Sequence, residues 1–369
     1  MKNNCVAQAA AMCASLAKIT PKYPLLMVFE KIFNNQNAMV HPRQNLSGKS
    51  YYDFIVDSFD LIKKNVSVFR ARVQQNLQLS PAKTSFQDYV RLTQFLLDSC
   101  SSVQNILDDY FVKKDKKLCF SDLQSFLDQH IGDIQAWSSV SLFRKSKPLE
   151  KMYRLAKKGP IGRNRKSLFH PPFDVTKKFN LDYRYSNKDF PSLYLGCSLE
   201  LCLHEVNSTN KNLYYASQFK IHKREAIKVL NFGYRWNEIK LFANADLNDS
   251  KKQKMLEAWF TLFPLMLACS IVRISSGKDE YVLPQLLMEY LRYSTILDGI
   301  RYYSTKKIYV NAWTKNSINF AFPAKGVKKK GFDNHLVKKF RLTKPIDLSF
   351  VKSLADAELI LSKKKCGKK

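Results

Sequence analysis

The 369-residue chain reads as an α+β protein, a helical N-terminal part followed by a mixed α/β part. Three observations lead there. Apolar residues recur at helical spacing over roughly the first 140 positions. Between residues 138 and 166 the composition turns to Ser, Lys, Arg, Pro and Gly, which marks a boundary. Beyond it, short strand-like runs alternate with helices, without the regular βαβ rhythm of a doubly wound sheet.

In the helical part, residues 51–77 place Phe54, Ile55, Phe59, Ile62, Val66 and Phe69 on one face. Residues 85–111 do the same with Tyr89, Leu92, Phe95, Leu96, Val103, Ile106 and Leu107. Ser121 is the expected cap of a third helix, with Leu123, Phe126, Leu127, Ile131 and Ile134 facing inward. These are core faces of a small bundle, and neither His41 nor His130 has a partner at ligand spacing. In the second part, strands are expected at 193–195, 216–220, 227–230, 271–274, 299–303 and 318–322. Helices are expected at 199–206, capped by Ser198, and at 251–266 and 283–293. Residues 208–256 read as a long basic insertion, and 362–369 as a disordered basic tail.

The formal charge of +30, from 61 Lys and Arg against 31 Asp and Glu, calls for anionic partners. Nucleic acid, acidic proteins, anionic membrane surfaces and phosphorylated ligands all qualify. The cysteines form no Cys-x-x-Cys pair and lie at no zinc spacing with the histidines, so no metal is expected. Most sit in apolar stretches, which suits a reducing, cytoplasmic compartment. Whether the chain stays in its own cell or is delivered into another is left open. The N-terminal stretch has only a weak apolar run, so no signal peptide is expected. Residues 258–272 are too short a run to span a bilayer. With no Gly-x-Gly-x-x-Gly and no P-loop, a nucleotide would not be held in a Rossmann or Walker manner.

Three segments carry more than this. Residues 184–206, RYSNKDFPSLYLGCSLELCLHEV, run from an arginine through a turn and an apolar-Tyr-Leu strand to a small helix with Glu205 near its end. Residues 279–290 hold Pro284-Gln285 in a helix, and 297–304 read Leu-Asp-Gly-Ile-Arg-Tyr-Tyr-Ser. Earlier stand Tyr153-Arg154 and Phe169-His170-Pro171-Pro172-Phe173-Asp174. In this order, over roughly residues 150 to 350, they resemble the RES domain family, named for its arginine, glutamate and serine. One departure is Lys188-Asp189-Phe190, which stands where many relatives have a glycine turn.

The resemblance implies an ADP-ribosyltransferase-like fold for 150–350; outside it, the residues themselves read as a helical accessory or partner-binding domain over 1–140 and a C-terminal segment with a basic tail over 351–369. It implies NAD as substrate and cleavage of the nicotinamide–ribose bond, by water or phosphate, as in toxins paired with an antitoxin or immunity protein. Glu205, Arg184 and Ser304 would be catalytic; Arg154, Arg184, Tyr194, Tyr303 and Ser304 would hold the dinucleotide. The chemistry is consistent with such a set. Nicotinamide leaves as a neutral base, so the barrier lies in an oxocarbenium-like ribose, which a carboxylate on the ribose hydroxyls stabilises. An arginine offers a planar fork of donors to phosphate, and a tyrosine ring can lie against nicotinamide. Two other functions stay open: ADP-ribosyl transfer to a macromolecule recruited by the helical part, and a non-enzymatic basic module binding nucleic acid.

Overall fold

A computed structural model describes residues 50–77, 83–130, 151–159, 168–179, 181–222, 227–233, 250–271, 277–305, 317–326 and 330–364, with a few isolated positions and two short strands between them. The first three helices are α1 (Tyr51–Leu77), α2 (Lys83–Phe111) and α3 (Lys116–Gln129). α3 starts earlier than its apolar face suggests. Asp115, not Ser121, is the cap, and its carboxylate accepts the amides of Lys117 and Leu118. His130 caps the other end, its ring 5.2 Å from that of Phe126. His41, Ile131, Ile134 and the side chains of Phe69 and Tyr89 lie outside the described residues.

The second part is built on a curled sheet. After a small pair, β1 (Phe143–Arg144) and β2 (Lys147–Pro148), come β3 (Met152–Lys157), β4 (Ser192–Gly196), β5 (Tyr214–Ile221), β6 (Val229–Asn231), β7 (Gly299–Tyr303), β8 (Ile318–Pro323), β9 (Phe340–Leu342) and β10 (Ile346–Asp347). The strand order is β10-β5-β3-β4-β8-β7-β6, with β9 also on β5. Only β6 and β7 run parallel; the other pairs are antiparallel. The helices of this part are α4 (Phe173–Lys178), α5 (Leu199–Glu205), α6 (Ser250–Ser270), α7 (Val282–Tyr293), α8 (Asn334–Lys339) and α9 (Leu354–Lys363). The α+β class therefore holds.

Several expectations need correcting. The stretch read as a basic insertion from residue 208 contains β5, which pairs with both β3 and β10 and is integral to the sheet. Ser362 and Lys363 are the last turn of α9, and Cys366 bridges to Thr343, so the basic segment is ordered further than expected. β3 lies just after the basic boundary and was not expected as a strand. Past Ile271, the strand anticipated at 271–274 falls outside the described residues.

Two apolar clusters cover the two faces of β4, β7 and β8. One joins Ile55, Phe59, Leu96, Val103 and Leu127 of the N-terminal helices to Trp259, Phe263 and Leu287 of α6 and α7, then to Tyr302 and Ala321 of the sheet. The N-terminal helices thus share one continuous core with the sheet part, each large buried side chain contributing roughly 1.5–3 kcal/mol. Polar ties reinforce the join: Arg91 meets Glu257 at 3.0 Å, and the Tyr290 hydroxyl donates to Asp128 at 2.7 Å. The other face packs Leu193, Leu195, Tyr303, Phe320 and Phe322 against Phe169, Phe219 and Phe340. Among the described residues no helix is long and apolar enough to cross a membrane.

Candidate active site

A cavity of about 640 Å³ opens beside β4. Its wall includes Arg154, Arg184, Tyr194, Glu205, Tyr302 and Asn319. That volume lies within the usual range for small-molecule sites.

Glu205 arrives on α5. Ser198 caps that helix by accepting the amide of Leu201, and its apolar residues Leu199, Cys202 and Leu203 pack with Tyr153, Leu155 and Ala216 from β3 and β5. The approach of helix to strand is close: a Cβ on Gly196 would lie 2.8 Å from the Cys202 sulfur, so only glycine fits there. The Glu205 carboxylate is gripped on one oxygen. The Ser304 hydroxyl donates to Oε1 at 2.6 Å, and the Asn319 amide donates to the same atom at 2.6 Å. Oε2 is then the oxygen left to meet a ligand. Ser304 is 2% exposed, just past the end of β7; it touches the carboxylate and is not part of the cavity wall.

Arg184 sits in a tight turn in which Tyr183 and Ser186 exchange both backbone hydrogen bonds. Three elements hold this turn. From β4, the Tyr194 hydroxyl accepts the Tyr185 amide at 2.9 Å and donates to Ser186 Oγ at 3.4 Å. From α7, the Gln285 amide donates to Asp182 Oδ1 and to the carbonyls of Tyr183 and Ser186, which gives the Pro-Gln helix its reason. From the end of α6 and the residue just past it, the carbonyls of Cys269 and Ile271 accept the two terminal nitrogens of Arg184 at 3.0 and 2.7 Å. The guanidinium also lies over the Tyr281 ring at 5.2 Å. Its fork is therefore partly engaged by backbone, leaving Nε–H and one hydrogen on each terminal nitrogen for a ligand.

Arg154 on β3 donates through NH1 to the Tyr194 carbonyl at 2.9 Å, while its Nε is buried with no hydrogen-bond partner. Burial lowers its pKa, and no carboxylate pairs with it among the described residues. A half-buried cation on a cavity wall with no carboxylate beside it is the arrangement an anionic ligand would satisfy. The Tyr194 ring lines the cavity, and burial raises its phenol pKa, so the hydroxyl stays protonated.

Tyr303 is placed differently. It packs on the opposite face of the sheet with Leu193 and Phe320, and its neighbour Tyr302 lines the cavity instead. Successive strand residues point to opposite faces, so a step of one position exchanges wall for core. Asn319 was not among the expected residues. It stands in one cross-strand row with Gly196 and Tyr302. A signal was present: Asn319 is the lone polar side chain in the apolar strand INFAFP. Tyr281 and Tyr183, which also line the wall, had no such mark.

Among the described residues, no group of three or more His, Cys, Asp or Glu could hold a metal ion. No protein-family model matches the chain, and no solved structure does. The chain is similar to a Bacillus subtilis (strain 168) protein named "Putative toxin YopC", at 29% identity over 191 residues. That match covers 48% of this chain and 42% of the relative, so the chain spans less than half the length of the protein it resembles.

Proposed function

We propose that this chain is a toxin-like enzyme that consumes NAD by cleaving its nicotinamide–ribose bond. One observation carries the reading: a carboxylate fixed on one oxygen shares a cavity of about 640 Å³ with two arginines, one of them half-buried and with no carboxylate partner among the described residues. The name of the Bacillus relative supports the toxin-like part. The RES resemblance supports the substrate.

In this reading Arg154 and the free hydrogens of Arg184 bind the pyrophosphate, and Tyr194 and Tyr302 flank the nicotinamide riboside. Glu205 Oε2 accepts a ribose hydroxyl. The C1′–N bond breaks with its electron pair going to nicotinamide, and the oxocarbenium-like ribose is stabilised by the carboxylate. Water or phosphate then bonds C1′; water gives up a proton to solvent. The protein needs no covalent intermediate.

Incubating the pure protein with NAD tests this. Free nicotinamide with ADP-ribose, or with its 1″-phosphate when phosphate is present, is the expected result. Glu205→Ala should slow release by about 100-fold or more. ADP-ribose attached to protein would replace the reading with macromolecular transfer. No nicotinamide release, together with steeply salt-dependent binding to nucleic acid, would replace it with a binding module.

A further inference from the structure

We infer that the N-terminal helices belong to the active site's machinery, and that Tyr51 is a positioning residue for Arg184, acting through the C-terminal turn of α6. The last carbonyls of a helix lack intrahelical partners and must find others. At the end of α6 they find side chains from both parts of the molecule. The Tyr51 hydroxyl, at the first residue of α1, donates to the Ala268 carbonyl at 3.1 Å. The next carbonyl, Cys269, accepts Arg184 at 3.0 Å, and Ile271 accepts its other nitrogen at 2.7 Å. The Tyr185 hydroxyl approaches Cys269 at 3.5 Å.

α1 supplies one of these outside partners. Tyr51 is 3% exposed, packs against Phe111 at 5.9 Å, and keeps its proton because burial raises its pKa well above the usual tyrosine value. Its hydroxyl therefore remains a donor. The acceptors of Arg184 are thus placed by a helix more than a hundred residues upstream in the chain.

Tyr51→Phe tests this, since it keeps the ring and removes only the donor. Two readouts are used on the full-length protein. Hydrogen exchange of the bonded amides of Tyr183, Tyr185 and Ser186 should speed up in the variant along with the last turn of α6. In turnover, which rests on the NAD reading, KM for NAD should rise roughly three- to tenfold with kcat within twofold. The same substitution in an Arg184→Ala background should add no further rise. If wild type releases no nicotinamide, the functional reading fails, and the exchange measurement still decides the positioning claim. Faster exchange confined to α1 and its direct neighbours, with KM unchanged, overturns it. So does an equal KM rise with and without Arg184.

Discussion

The two faces of the central strands do different work with side chains only one residue apart. On one face Gly196, Asn319 and Tyr302 form a row under the cavity, and Asn319 grips Glu205. On the other, Leu193, Leu195, Phe320 and Tyr303 are apolar packing, next to a buried histidine, His170. That histidine is fixed on both sides: its Nε2 accepts the Asp333 amide at 2.7 Å, and Nδ1 lies 2.7 Å from the Pro171 carbonyl. On the proposed function, the contrast separates a face whose substitutions should change chemistry from one whose substitutions should change stability.

The largest effect should come from the cavity face. Asn319→Ala removes one of two donors on Glu205 Oε1, and kcat for nicotinamide release should fall roughly 10- to 100-fold, with the thermal midpoint nearly kept. A kcat unchanged beside a lowered midpoint would erase the distinction between the faces. His170 on the far face should give an intermediate effect, on stability alone. Burial brings its pKa down to about 4 from 6.5, so the folded chain resists the proton that the unfolded chain takes up. The stabilisation is full above about pH 6.5 and is lost as pH falls towards 4, about 3 kcal/mol in all. Urea midpoints across that range should show the loss in wild type, and His170→Gln should flatten the slope. The smallest effect is expected from Tyr303→Phe: release of nicotinamide within twofold of wild type and a stability cost of at most about 1.5 kcal/mol. A large fall in turnover for this variant would place a catalytic contact on the wrong face.

Much of the architecture is legible in the residues. The strand at 299–303 and the helix capped by Ser198 stand out because each pairs a clear period with a clear boundary residue. β3 does not, since MYRLAK mixes core residues with Arg154, which serves the cavity, and it follows a basic stretch. β9 and β10 are too short to show any period. Within the site, residue types and order bring Glu205, Arg184, Tyr194 and Arg154 to mind, but not parity along a strand. Choosing Tyr303 over Tyr302 needs the register of β7 on β8, a non-local pairing that no local pattern reports. The engagement of Arg184 by α6 is equally hidden, because backbone carbonyls are contributed by every residue and leave no trace in composition.

The shift in composition between residues 138 and 166 is not a seam in the packing. Trp259, Phe263 and Leu287 rest on side chains from the first three helices. A fragment beginning near residue 150 would present that wide greasy surface to solvent and be prone to clump. The sheet part is therefore no transferable cassette. Swapping the upstream helices for those of another protein would require rebuilding the interior, not merely choosing a linker.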